Sequence, residues 1–161
     1  LRFKLDKNTN KIEEEIKGRF RNDFHKGIIN LIFTTNQLNH GFLQVVKKHG
    51  LSIQQYNVLR VLRGFKNQPS SIGFIKERML DQSSDVSRLV DRLVLRNLVQ
   101  RTESINDRRQ KDVMITQQGL NLIGEMDHCE QQMDELIKTL TQEEVTQLNF
   151  LLDKIREYPA K

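Results

Sequence analysis

"SSDVSRLVDRLVLRNLVQRTESINDRRQKDVMIT" runs from Ser83 to Thr116, and its apolar period changes halfway. In the first half apolar residues return every three or four positions, the spacing of one helix face. In the second half they alternate, the spacing of one strand face. Projected at about 100° per residue, Val86, Leu89, Val90, Leu93 and Val94 fall within a single arc. Ser84, Arg88, Asp91 and Arg92 point away from it, so one face anchors and the other is displayed. Leu95 also lands outward. Asn97 can take the left-handed conformation that closes a helix. Beyond it Val99, Arg101 and Glu103 share one face of a first strand, and Val113 and Ile115 share one face of a second. The loop "SINDRRQK" joins them, so the stretch ends as a hairpin with a basic tip.

Working outward, the first ten residues read as a frayed arm. From Ile12 to about Lys48 the pattern is helical, with Ile12, Ile16, Phe20, Phe24, Ile28, Leu31, Leu38, Phe42 and Val45 at spacings of mostly three or four. Gly18, Gly27 and Gly41 weaken it, which leaves one long helix or a bent pair. "HGLS" stops it at Gly50. Ser52 and Gln55 form a capping-box pattern that opens a second helix with Tyr56, Leu59, Val61 and Leu62 as its apolar positions. Ser70 or Ser71 caps a short third helix, "IGFIKERML", which stops near Asp81, and the fourth starts around Ser83 or Ser84. After the hairpin, Thr116 caps a helix carrying Leu120, Ile123, Met126, Met133, Leu136, Ile137 and Leu140. "TQEE" opens a last one with Val145, Leu148, Leu151, Leu152 and Ile155.

The fold class is therefore mostly α with a small β-hairpin wing: a winged helix-turn-helix over residues 52–116, with helical dimerisation arms at 12–48 and 117–158, in a single domain. In such a fold the displayed face of the second helix of the helix-turn-helix lies in the major groove. The basic hairpin tip flanks it, within reach of the phosphate backbone or the minor groove.

Charge supports a polyanionic partner. The chain has 161 residues and a net charge of +5. From Asn121 onward four Lys/Arg face nine Asp/Glu, or −5, which leaves 22 against 12, or +10, in residues 1–120. Mean hydropathy is −0.60, and no apolar run approaches the roughly 18–20 residues that span a bilayer. "LRFKLDKNTNKIEEEIKGRF" is too polar for a secretory signal. One cysteine, Cys129, excludes an intramolecular disulfide framework. Together these features lead us to expect a cytoplasmic protein without a membrane partner.

Three segments, "LSIQQYNVLRVL", "SSDVSRLVDRLVLRNLVQR" and "NDRRQKDVMITQQG", together resemble the MarR family of bacterial transcription regulators. Asp107, Arg109, Val113, Ile115, Thr116 and Gly119 fit its wing signature, and "VSRLVDRL" matches its recognition helix. The resemblance covers roughly residues 12–157. Asn97 stands where the family usually has Gly, and Lys76 where a small residue is usual. Asp85 at the start of the recognition helix suits the helix dipole and repels phosphate. The resemblance implies a homodimer on a pseudo-palindromic operator of double-stranded DNA. It also implies a pocket between the dimer helices and the winged lobe for a small phenolic or aromatic acid. The expected function is a sequence-specific DNA-binding regulator, a repressor released by such a ligand.

The expected DNA-binding residues are Ser84, Ser87, Arg88, Arg92, Arg108, Arg109 and Lys111. Asp91 and Asp107 are expected to hold the wing's shape, with Arg109 pairing with one of them or touching DNA. No residue is assigned to the ligand, although Phe42 and Tyr56, read as core residues first, are candidates for its walls. His25, His40, His49 and His128 lack metal-ligand spacing, so neither metal nor cofactor is expected. Cys129 is read as a packing residue. No phosphate loop, nucleophile elbow or carboxylate pair stands out, so the chain is not read as an enzyme. The competing reading is a winged-helix module that docks a protein without binding DNA specifically; the arginines displayed on both helix and wing speak against it.

Overall fold

The computed structural model describes residues 11–65, 68–104 and 111–157, and the chain divides into two compact units, 1–40 and 41–161. In the first unit Ile12–Glu15 makes a single helical turn, α1. It ends where Lys17 takes φ 48°. Asn22 then accepts the His25 N–H at 2.9 Å and opens α2, Asp23–Lys47. The helix expected over 12–48 is therefore interrupted between Ile16 and Asn22, whereas Gly27 and Gly41 leave α2 unbroken. A Lys26–Glu13 ion pair at 2.5 Å closes the loop on itself. Phe24, Ile28 and Ile32, four residues apart, line an exposed stripe on α2 with Leu31 beside it.

The second unit begins in the last turns of α2. Here the Gly50 N–H donates to the Lys47 carbonyl at 2.9 Å and the Leu51 N–H to that of Val46 at 3.3 Å, with Gly50 at φ +68°. This is the glycine-closed helix end expected at "HGLS". The Ser52–Gln55 capping box forms in full and opens α3, Ile53–Gly64. Ser71 caps α4, Ile72–Glu77. Ser70, the other candidate, exchanges both backbone hydrogen bonds with Val113, at 3.0 and 2.8 Å, and so adds a one-residue bridge to the hairpin. α4 ends at Glu77, earlier than the pattern suggests, because the Arg78 N–H turns tightly to the Ile75 carbonyl.

α5 spans Val86–Val94, and Asn97 follows at φ 55°. The strands β1, Val99–Glu103, and β2, Lys111–Ile115, pair antiparallel in the register Val99↔Ile115, Arg101↔Val113 and Glu103↔Lys111. Lys111, expected in the loop, is thus the first residue of β2. Thr116 caps α6, Gln117–Glu125. The helix expected to run on from there divides at the buried Met126, whose N–H turns to the Ile123 carbonyl. α7, Asp127–Asp134, and a 3-10 turn, Glu135–Ile137, follow. The Thr141–Glu144 capping box opens α8, Gln142–Arg156, which has no buried residue.

The core of this unit forms where α3, α4, α5, the hairpin and α6 converge. Leu59, Leu62, Ile75, Leu93, Leu98, Ile123 and Met126 are all but fully buried there. Phe42 and Tyr56 belong to the same core, rings edge-on at 5.4 Å. The Cys129 side chain lies outside the described residues.

Candidate nucleic-acid interface

α5 shows why its amphipathic pattern matters. Val86, Val90 and Leu93 are buried, Leu89 and Val94 half-buried, while Ser87, Arg88, Asp91 and Arg92 face solvent. Arg88 and Arg92 lie one turn apart and form no ion pair among the described residues. Two cations at this spacing weaken an isolated helix slightly. That cost is recovered when an anion lies across both.

The leading edge of α5 differs from the expectation. Neither Ser83 nor Ser84 caps the helix. Asp81 accepts the Ser83 N–H at 3.0 Å, the Ser83 hydroxyl at 2.5 Å and the Ser84 hydroxyl at 2.9 Å. With both serines engaged, Asp85 becomes the N-cap and accepts the Arg88 N–H at 3.1 Å. Ser84, expected to contact DNA, is therefore half-buried with its hydroxyl proton committed to Asp81. The Ser83 hydroxyl, then that of Ser84, then the Ser83 N–H hold the Asp81 carboxyl below its ordinary range. A carboxylate stabilised in this way keeps the turn closed at neutral pH. The contribution is lost only as pH falls through the lowered value. A pH titration followed at the Ser83 amide by NMR should show a midpoint below that of an unhindered aspartate. An ordinary midpoint would mean that the turn is open in solution.

The wing is tied to the displayed face. Arg101 on β1 donates to the Asp91 carboxylate on α5 at 2.5 Å. The sequence pairs Asp91 with Arg109 as one way to hold the wing, yet among the described residues its partner is Arg101. Arg101 is also the residue that sequence reasoning missed, since alternation places it on a strand face without showing which helix that face meets. Asp107, Arg108 and Arg109, at the expected tip, lie outside the described residues. Lys111 is exposed at the start of β2, opposite Glu103.

Among the described residues no group of three His, Cys, Asp or Glu side chains is arranged to hold a metal ion, and no helix is long and apolar enough to cross a membrane.

A family model described as "MarR family" matches residues 49–110, from the end of α2 to the hairpin. The HTH-type transcriptional regulator MhqR of Bacillus subtilis (strain 168) is 31% identical over 112 residues, which cover 68% of this chain and 75% of that protein. The chain belongs to the MarR family. Members of this family are transcription regulators and not enzymes. The solved structure of BpsR from Bordetella bronchiseptica is 25% identical, with a TM-score of 0.67, covering 78% of this chain and 95% of that one. The organohalide-sensing regulator RdhR, in its 2,4-dichlorophenol-bound form, has a TM-score of 0.76 over 96% of this chain and 88% of that one. At 16% identity it shows the shared fold alone.

Proposed function

We propose that this MarR-family regulator is a homodimeric, cytoplasmic repressor that binds a pseudo-palindromic site in double-stranded DNA. The observation that carries this reading is the Arg88–Arg92 ladder on the exposed face of α5, without an ion-pair partner among the described residues and anchored behind by Val86, Val90 and Leu93. Ser87, Arg88 and Arg92 enter the major groove, where a guanidinium reads guanine through two parallel hydrogen bonds. Lys111, with Arg108 and Arg109 of the sequence beside it, meets the backbone. Two exposed apolar stripes support the dimer: Phe24, Ile28, Leu31 and Ile32 in the first unit, and Phe150, Leu151 and Ile155 on α8 in the second. Stripes of this kind on helical arms suit burial against a second copy.

Small-molecule control is the finer part of the proposal. The BpsR structure concerns regulation of DNA binding by 6-hydroxynicotinic acid, and the RdhR structure contains 2,4-dichlorophenol. Both are small aromatic compounds with an ionisable oxygen. A ligand of that class releases this regulator only if it binds the DNA-incompetent arrangement more tightly, and DNA then weakens the ligand by the same factor.

Selection of bound duplexes from a random pool tests the reading. It should return an inverted repeat whose halves lie about one helical turn apart, roughly 34–36 Å. Failure to enrich any sequence would favour the protein-docking module instead.

A further inference from the structure

Arg96 follows immediately after α5 and its C-cap Leu95, yet its side chain leaves the displayed face. One guanidinium nitrogen donates to the Gly50 carbonyl at 2.7 Å across 46 residues of sequence, and the other approaches the His49 carbonyl at 3.5 Å. His49 and Gly50 lie in the turn that closes α2, just past its last residue Lys47, and their carbonyls point to Arg96 rather than into the helix. A cation there also meets the negative end of the dipole of a 25-residue helix. Gly50 suits the turn through its backbone. Its φ of +68° is one that side chains rarely adopt. The fork therefore joins the end of α2 to the end of α5, while the next residue, Asn97, turns the chain into the wing.

We propose that Arg96 is a positioning residue: it fixes the angle between the end of α2 and the recognition helix, and so sets the half-site spacing that the regulator accepts. This rests on the reading above, in which α2 is a dimer arm and α5 enters the groove. Under that reading any looseness between the two helices becomes looseness in the distance between recognition helices. Arg96 itself need not touch DNA. Removing it costs spacing discrimination and leaves recognition of one half-site alone.

The test uses the duplex recovered from the random pool, the same duplex with one or two base pairs inserted between its halves, and a single half-site. The intact protein should lose about tenfold or more in affinity on a one-base-pair insertion, which rotates and displaces one half relative to the other. Arg96→Ala should lose less than about threefold on that insertion, bind the native spacing more weakly, and bind the half-site as the intact protein does. Arg96→Lys, whose ammonium still reaches one carbonyl, should fall between them. Its spacing penalty keeps the test informative if the alanine variant unfolds. An unchanged spacing penalty in a folded variant overturns the proposal. Weakened half-site binding overturns it too, by making Arg96 a DNA contact or a fold residue. If the intact protein shows no spacing preference, the palindromic dimer reading falls and the proposal falls with it.

Discussion

Replacing Gly119 with alanine is expected to destabilise the winged lobe by about 3 kcal/mol, at the upper end of what overpacking costs. Gly119 lies in the first turn of α6, and a Cβ there would stand 2.1 Å from the Leu98 carbonyl oxygen and 2.8 Å from Cγ1 of Ile115. The carbonyl is backbone and already accepts the Thr116 N–H at 3.1 Å, while the Thr116 hydroxyl donates to the Asn97 carbonyl at 2.6 Å. Start of hairpin and start of helix are thus drawn together, and neither can yield without parting β1 from α6. For a domain of this size the melting temperature should fall by roughly 6–12 °C. Gly124→Ala in the same helix is the control. Nothing lies within 4 Å of its added Cβ, so the helix should gain about 0.5–1 kcal/mol. Equal melting of the Gly119→Ala and intact proteins would contradict this helix–hairpin contact.

Salt should act on DNA binding more strongly than any single substitution. Each phosphate neutralised releases condensed counterions, so a protein that neutralises six or so should bind about three orders of magnitude more weakly at 200 mM salt than at 50 mM. Arg108→Ala should weaken operator and random duplex alike. It should also lower the slope of log affinity against log salt by about 0.9 for each phosphate it leaves unneutralised. A slope near zero would remove the phosphate backbone from the account.

What the sequence revealed was local. The Ser52–Gln55 and Thr141–Glu144 capping boxes, the left-handed Asn97 and the glycine-closed end at Gly50 each depend on a few neighbouring residues, and each appears as expected. Val86, Val90 and Leu93 are buried because period alone selects the anchoring face. α5 starts just after the expected serines, with Asp85 as its N-cap, because Asp81 engages both of them. Long-range contacts were not legible. The demand on Gly119 comes from Leu98, the reach of Arg96 ends at Gly50, and the partner of Asp91 sits on a strand ten residues away. Lys111, Arg88 and Arg92 are exposed, and the Ser84 hydroxyl donates to Asp81.

The central claim is that the displayed face of α5 reads DNA sequence. It is tested most directly by titrating the intact protein and Arg88→Ala, by fluorescence anisotropy at one salt concentration, against the selected operator and a shuffled duplex of the same composition. If Arg88 reads a base, the variant should lose about 1–3 kcal/mol of the difference between the two duplexes while losing far less on the shuffled one. Equal losses on both would make Arg88 a phosphate contact, and an intact protein that binds both duplexes equally would contradict sequence recognition by α5.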